Sequence, residues 1–141
     1  VRGENRELLN AQLEPAIRVR KKRRTLPGSR NRIVNPDLVF NDGIGVGDVK
    51  YRISTGDIGR SHLNQVTTFA TAYHSTAALI VAFGTTEVGE HVEVGTVSID
   101  ALNWNTNEPD PSTAAAVLAG RVDTWLANAL QQQRSIHVGV E

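Results

Sequence analysis

Cysteine is absent from the chain, and so is methionine. Without thiols there is no disulfide and no thiolate zinc site. Their absence fits the reducing cytoplasm, which is the expected compartment. Valine, not methionine, stands at position 1, so the chain is expected to be a fragment or to have lost its start residue. Aromatic residues are scarce at 5%, which leaves the core to aliphatic side chains and alanine. No run approaches the roughly 18 to 20 apolar residues of a membrane helix. The first residues are charged rather than apolar, unlike a signal peptide, and no membrane association is expected. What remains is a chain of 141 residues, enough for one domain with a real hydrophobic core. We read 1–141 as a single domain.

A net charge of zero conceals an asymmetry. Residues 1–60 carry thirteen Lys and Arg against seven Asp and Glu, a balance of +6, and residues 61–141 carry two against eight, a balance of −6. The basic residues cluster at Arg18, Arg20, Lys21, Lys22, Arg23, Arg24, Arg30 and Arg32. One reading is a solvated hairpin surface. The other is a nucleic-acid backbone contact, which needs only positive charge near phosphates. The second makes these eight residues the expected DNA-binding flank.

Periodicity divides the chain. Leu8, Leu9 and Leu13 give residues 3–14 the stripe of a short helix, stopped by Pro15. Residues 17–25 alternate as a strand. Leu26-Pro27-Gly28-Ser29 is a turn, and residues 33–40 read as a second strand. Asn41-Asp42-Gly43 is a hairpin turn leading to a third strand at about 45–52, so three strands form an antiparallel meander. After a polar loop, residues 61–72 read as a helix with Leu63, Val66, Phe69, Ala70 and Tyr73 on one side. The run from Ala77 to Phe83 is almost wholly apolar, as in a buried central strand. Residues 91–102 alternate as one or two further strands. Ser112 is read as the cap of a last helix over 112–132, and the glutamines at 131–133 as its solvated end. The order is α-β-β-β-α-β followed by extra strand and helix, an α/β fold.

Three features carry chemistry. Asn35-Pro36-Asp37 interrupts an apolar strand. Gly47-Asp48-Val49-Lys50 follows eleven residues after Asp37 and across the turn. Gln65 lies on the next helix. Residues at i and i+2 of a strand share a face, so Asp48 and Lys50 point the same way. The turn pairs positions summing to roughly 85–87, and Asp37 with Asp48 gives 85, so the two carboxylates can meet across the ladder. Adjacent carboxylates repel unless a cation lies between them. A hard divalent ion such as Mg²⁺ suits them, because it takes oxygen ligands and keeps waters for chemistry. A lysine beside it can stabilise charge on a phosphate or help activate water. D-x-K and P-D are each common by chance. Together, inside strands otherwise suited to a core where unpaired charge is costly, they point to phosphodiester hydrolysis.

The runs PDLVFNDGIGVGDVKYR, LNQVTTFATAY and AALIVAF together resemble the PD-(D/E)xK nuclease superfamily. Within it they are most similar to the McrC-type nuclease domains of 5-methylcytosine restriction systems. The resemblance covers about residues 30–83. It implies a restriction-endonuclease-like α-β-β-β-α-β core, a mixed sheet flanked by helices, here with extra C-terminal strands and a helix. It implies Mg²⁺- or Mn²⁺-dependent endonuclease activity on DNA. Asp37 and Asp48 would be metal ligands, with the Val49 backbone carbonyl. Lys50 would be the catalytic lysine, Gln65 a helix residue reaching the site, and Tyr51 the family's aromatic after the lysine. A first-helix glutamate often completes such sites: Glu4 and Glu7 are both candidates, and Glu4, one turn before Leu8, is favoured. A GTPase or ATPase motor or recognition subunit is the expected partner. Cutting both strands would bring two copies together as a homo-oligomer.

The chain departs from the family at Asn64, where an aromatic usually precedes the glutamine, and at Phe69, often tyrosine. The stretch from Gly45 to Gly47 is smaller than usual, which predicts a looser strand. None of these removes a ligand or the lysine. Two other functions compete: a nucleic-acid or protein binding module that keeps the fold without catalysis, and a nuclease of DNA repair or mobile elements. Other polar residues are read as structural. His62, His74, His91 and His137 have no metal spacing on one element. Gly43, Gly45 and Gly47 lie between strands rather than opening a helix, as a phosphate loop must. Trp104 and Trp125 are read as packing residues.

Overall fold

A computed structural model of the chain describes residues 24–25, 33–41, 43–53, 58–85 and 88–139. The predicted first helix and most of the predicted first strand lie outside them. Among the described residues seven strands and two helices follow in order: β1 (Arg24–Thr25), β2 (Ile33–Val34), β3 (Leu38–Phe40), β4 (Gly45–Ile53), α1 (Arg60–Ala72), β5 (Ala77–Gly84), β6 (Val88–Val94), β7 (Val97–Asn105) and α2 (Pro111–Gly139). Five strands form one sheet in the order β3-β4-β5-β7-β6, and β1 and β2 pair separately. In the large sheet β4, β5 and β7 run parallel, while β3 and β6 are antiparallel to their neighbours. The fold is α/β, a mixed sheet with helices packed on it.

The predicted strand over 33–40 breaks at Asn35-Pro36-Asp37. Ile33 and Val34 pair with β1, and Leu38 to Phe40 pair with β4. The expected meander is therefore split between two sheets. Proline has no N–H for a ladder and restricts the residue before it, so the chain changes partners there. Beyond the break, Asn41 (φ 47°) and Gly43 (φ 116°) take left-handed backbone, and the amides of Gly43 and Ile44 both donate to Phe40 O at 3.1 Å. That turn fixes the β3–β4 register.

β5 is the centre of the sheet, as its apolar run predicts. Its side chains alternate between two cores. Ala78 and Ile80 join Val39, Val46, Val66, Phe69, Tyr73 and Ile99 under α1. Leu79 and Val81 join Phe40, Leu102, Trp104, Leu118, Val122, Trp125 and Leu126 under α2. Both tryptophans are packing residues: Trp125 meets Phe40 edge-on at 5.3 Å, and Trp104 lies 5.7 Å from Phe83. The small stretch at Gly45–Gly47 is filled rather than loose. A Cβ at Gly45 would come within 2.6 Å of Trp125, and one at Gly47 within 3.3 Å of Leu38.

The predicted strand region over 91–102 is a hairpin, turning at Gly95 with φ 60° between Val94 and Val97. The last helix starts one residue earlier than predicted and runs to Gly139. Its start is held by Asp110, not Ser112: the Asp110 carboxylate accepts from the Ser112 amide at 3.3 Å and the Thr113 hydroxyl at 2.7 Å. Aspartate before Pro111 is a strong helix start. Gln131 and Gln132 are exposed, as a solvated helix end should be. Among the described residues no helix is long and apolar enough to cross a membrane.

Candidate active site

The β3–β4 register pairs Leu38 with Gly47 and Phe40 with Gly45. Both pairs sum to 85, and one step further the same register sets Asp37 against Asp48. Asp37 has left the strand at the proline break. Its Oδ2 accepts the Val49 amide at 2.9 Å, so a carboxylate takes the place of a backbone carbonyl at the end of the ladder. That bond brings the Asp37 carboxyl against Asp48, close enough to share a hydrogen bond with it.

Asp48 lies on the α1 side of β4, two residues beyond buried Val46. It is 5% exposed. Its pKa is pushed up from 3.8 to about 6, first by burial and then by the hydrogen bond and charge of Asp37, against the lowering pull of Lys50. Lys50, on the same face, puts Nζ 2.5 Å from Asp48 Oδ2. The two form an ion pair, so Lys50 is the charge partner of the buried Asp48 oxygen. Lys50 Nζ also donates to Gln65 Oε1 at 2.7 Å. Gln65 sits on the exposed edge of α1, one residue before buried Val66.

Asp37, Asp48, Lys50 and Gln65 thus come together, as predicted. Val49 enters through its amide. Its carbonyl contact to a metal remains an expectation of the resemblance. Among the described residues no three His, Asp or Glu side chains converge as a metal cage. Two carboxylates do, those of Asp37 and Asp48. That donor set fits a hard divalent cation that keeps several waters, because such ions are commonly held by one or two carboxylates. Glu4 and Glu7 lie outside the described residues. So do Arg18, Arg20, Lys21, Lys22, Arg23, Arg30 and Arg32; Arg24 opens β1 opposite Val34.

Two polar contacts escaped the sequence reading. Glu90 on β6 accepts the Ile58 amide at 2.9 Å, tying the segment before α1 to the far edge of the sheet. His91, on the same strand, meets Asp100 on β7, Nδ1 to Oδ1, at 2.6 Å. The hairpin register carries the signal for this second contact, since His91 with Asp100 and Val94 with Val97 both sum to 191. The Asp100 hydrogen bond and charge, with a smaller contribution from Glu93, raise the His91 pKa above its ordinary 6.5. A raised folded value means that this pairing favours the fold most below the unfolded pKa. The contribution fades as pH rises through the folded value. NMR titration should find His91 above 6.5, and Asp100→Asn should bring it down; an unchanged titration would show that the pair is not formed in solution.

The chain matches no family model and no curated protein. The likeness to PD-(D/E)xK nucleases therefore rests on the sequence runs quoted above.

Proposed function

We propose that this domain is a metal-dependent endodeoxyribonuclease of the PD-(D/E)xK kind, with a restriction-endonuclease-like core and a McrC-like role in restriction. One observation carries the reading: the carboxyl of Asp48 on β4 and that of Asp37, just before β3, meet beside a lysine held by a glutamine of the following helix. Asp37 and Asp48, with the Val49 carbonyl, would hold Mg²⁺ or Mn²⁺. When bound, the cation supplies Lewis acidity and activates water near neutral pH.

The chain's own residues do the rest. An ammonium has three donors. Gln65 Oε1 takes one and fixes where the others point. Lys50 then offers a placed positive charge to the negative charge that develops on a phosphate, which is worth more in a partly buried site than in water. Asp37 bonds the β4 backbone through the Val49 amide, so it is tied to the strand that carries Asp48 and Lys50. The basic flank from Arg18 to Arg32 would hold the DNA backbone. A motor or recognition subunit, a paired second copy and a cytoplasmic setting belong to the same proposal.

The test is plasmid cleavage with Mg²⁺ or Mn²⁺, comparing the wild type with Lys50→Ala and Asp48→Asn. Wild-type nicking that falls at least ~100-fold in both variants is expected, the usual scale for a lost charge-stabilising group. Equal activity in all three would trace the cleavage to a contaminant and sink the assignment. If the isolated domain is silent, Mn²⁺ titration decides: binding by the wild type that is lost in Asp48→Asn supports the site, and no binding by either rejects it.

A further inference from the structure

α1 begins with little of its own to hold it. Its N-cap is Gly59, extended at φ −64° and ψ 147°, and a glycine has no side chain to receive the first amides of a helix. No acid stands in the first turn, and a cation, Arg60, opens it. An acid there would complement the partial positive charge of a helix N-terminus, and a cation works against it. The helix start is nonetheless tied. Ile58, one residue before the cap, packs against the core under α1, and its amide donates to Glu90 Oε2 at 2.9 Å. The acid that the helix lacks comes from β6, at the far edge of the sheet.

A bulge presents Glu90 to that amide. In the β6–β7 ladder Val88 pairs with Leu102 and His91 with Asp100. Gly89 and Glu90 therefore stand opposite the single residue Ala101, two against one, which is the count of a β-bulge. At Gly89 an added Cβ would come within 2.8 Å of the Ala101 Cβ. A side chain is thus excluded at the first bulge position, and the second carries Glu90. Bulges at sheet edges commonly re-aim a side chain in this way.

α1 links this edge to the acid–lysine site. It lies across β7, β5 and β4. β6 and β4 are three strand spacings apart, about 14 Å, so Glu90 acts on the site only through the helix. Gln65, six residues past the cap, is about 9 Å along the axis from it and accepts from Lys50 Nζ at 2.7 Å. A stiff helix carries a displacement of its start to Gln65.

We propose that Glu90 is a positioning residue for the acid–lysine site. By holding the Ile58 amide it sets where α1 begins on the sheet, and so where Gln65 meets Lys50. The catalytic consequence rests on the nuclease reading. The geometric consequence does not.

The ¹⁵Nζ and ¹³Cε resonances of Lys50 in the intact chain read the contact. Gln65→Ala calibrates them, giving the shift that marks its loss. Glu90→Ala should move them in the same direction by a comparable amount. Glu90→Gln keeps an oxygen acceptor for the Ile58 amide and should return them to the wild-type positions. A second substitution separates position from helix stability. Nothing lies within 4 Å of a Cβ added at Gly59, so Gly59→Asp can supply a local cap. Added to Glu90→Ala it should restore the Tm but leave the Lys50 resonances shifted, because it caps the helix without tying it to β6. Should Glu90→Ala alone fail to fold, the double variant carries the comparison. In plasmid cleavage with Mg²⁺, the kcat of Glu90→Ala should fall at least ~10-fold with KM unchanged, within the ~100-fold that a misplacement of ~1 Å can cost. Lys50 resonances unmoved in Gln65→Ala or Glu90→Ala, or returned to the wild-type positions by Gly59→Asp, would overturn the proposal, as would an unchanged kcat in an active enzyme. If the wild type cleaves nothing, the Lys50 resonances alone decide the role of Glu90, and Mn²⁺ binding judges the nuclease reading separately.

Discussion

Asp48→Asn should make the metal-free protein more stable while removing the proposed cleavage activity. Asp48 is buried, and its pKa of about 6 lies well above the ordinary 3.8. A carboxylate with a raised folded pKa favours the folded state when protonated. Its stability is therefore complete below about pH 4, is lost as pH rises towards 6, and leaves a constant deficit above that. The deficit at neutral pH is on the order of 2–3 kcal/mol. Asparagine keeps the size of aspartate, carries no charge, and can donate to Asp37. It also removes the attraction to Lys50, a group whose side chain is 21% exposed, so part of the gain is lost. A net rise of about 1–2 kcal/mol at pH 7 is expected, several degrees in Tm. It should vanish near pH 4, where the wild-type acid is already protonated. Mg²⁺ or Mn²⁺ should reverse the order, because an ion that binds only the folded wild type stabilises it by mass action. Thermal unfolding of both proteins at pH 4 and pH 7, with and without Mn²⁺, reads all of this at once. A variant less stable than the wild type at pH 7 without metal would mean that Asp48 serves the fold, and the case for a cation between the acids would fall with it.

That same acid pair is legible in the sequence because it depends only on local rules. A short turn sets the register, strand side chains alternate, and together they set Asp37 against Asp48 and put Lys50 beside it. The central position of β5 follows from an apolar run that has to be buried on both faces. Other features depend on distant partners and were not legible. The split of the 33–40 strand is signalled by Pro36, but the choice of two different sheets is made by β1 and β4. The cap of α2 is ambiguous in sequence because Ser112 and Asp110 are both good capping residues, and only the Pro111 between them discriminates. The helix also runs on past its amphipathic stripe through polar residues, where periodicity gives no warning. Gly45 and Gly47 read as a weak strand because the side chains that fill their space cannot be seen from the strand itself.

Gly45→Ala is expected to destabilise the protein for that reason. Gly45 pairs with Phe40 across the ladder, and Trp125 lies edge-on to Phe40. The indole edge reaches over the glycine, so that an added Cβ would sit 2.6 Å from one ring carbon and 3.1 Å from the next. Trp125 is 8% exposed and stands among Leu118, Val122 and Leu126 in the α2 core. A rigid ring in that setting has little room to retreat, and overpacking of this kind costs about 1–3 kcal/mol. Replacing glycine by alanine returns roughly 0.4–1 kcal/mol through the unfolded chain, so a net loss of about 1–2 kcal/mol should be seen in denaturant unfolding, and more for Gly45→Val. The mechanism is checked by a double-mutant cycle with Trp125→Leu, which removes the obstructing edge. In that background Gly45→Ala should be nearly neutral, a coupling of at least ~1 kcal/mol. Additive effects would show that the strand, not the ring, objects to the methyl group. Gly45 and Trp125 act on the α2 face and Asp48 and Lys50 on the α1 face. The proposed cleavage, per folded molecule, should therefore survive Gly45→Ala, which separates a packing defect in β4 from a defect in the site that β4 carries.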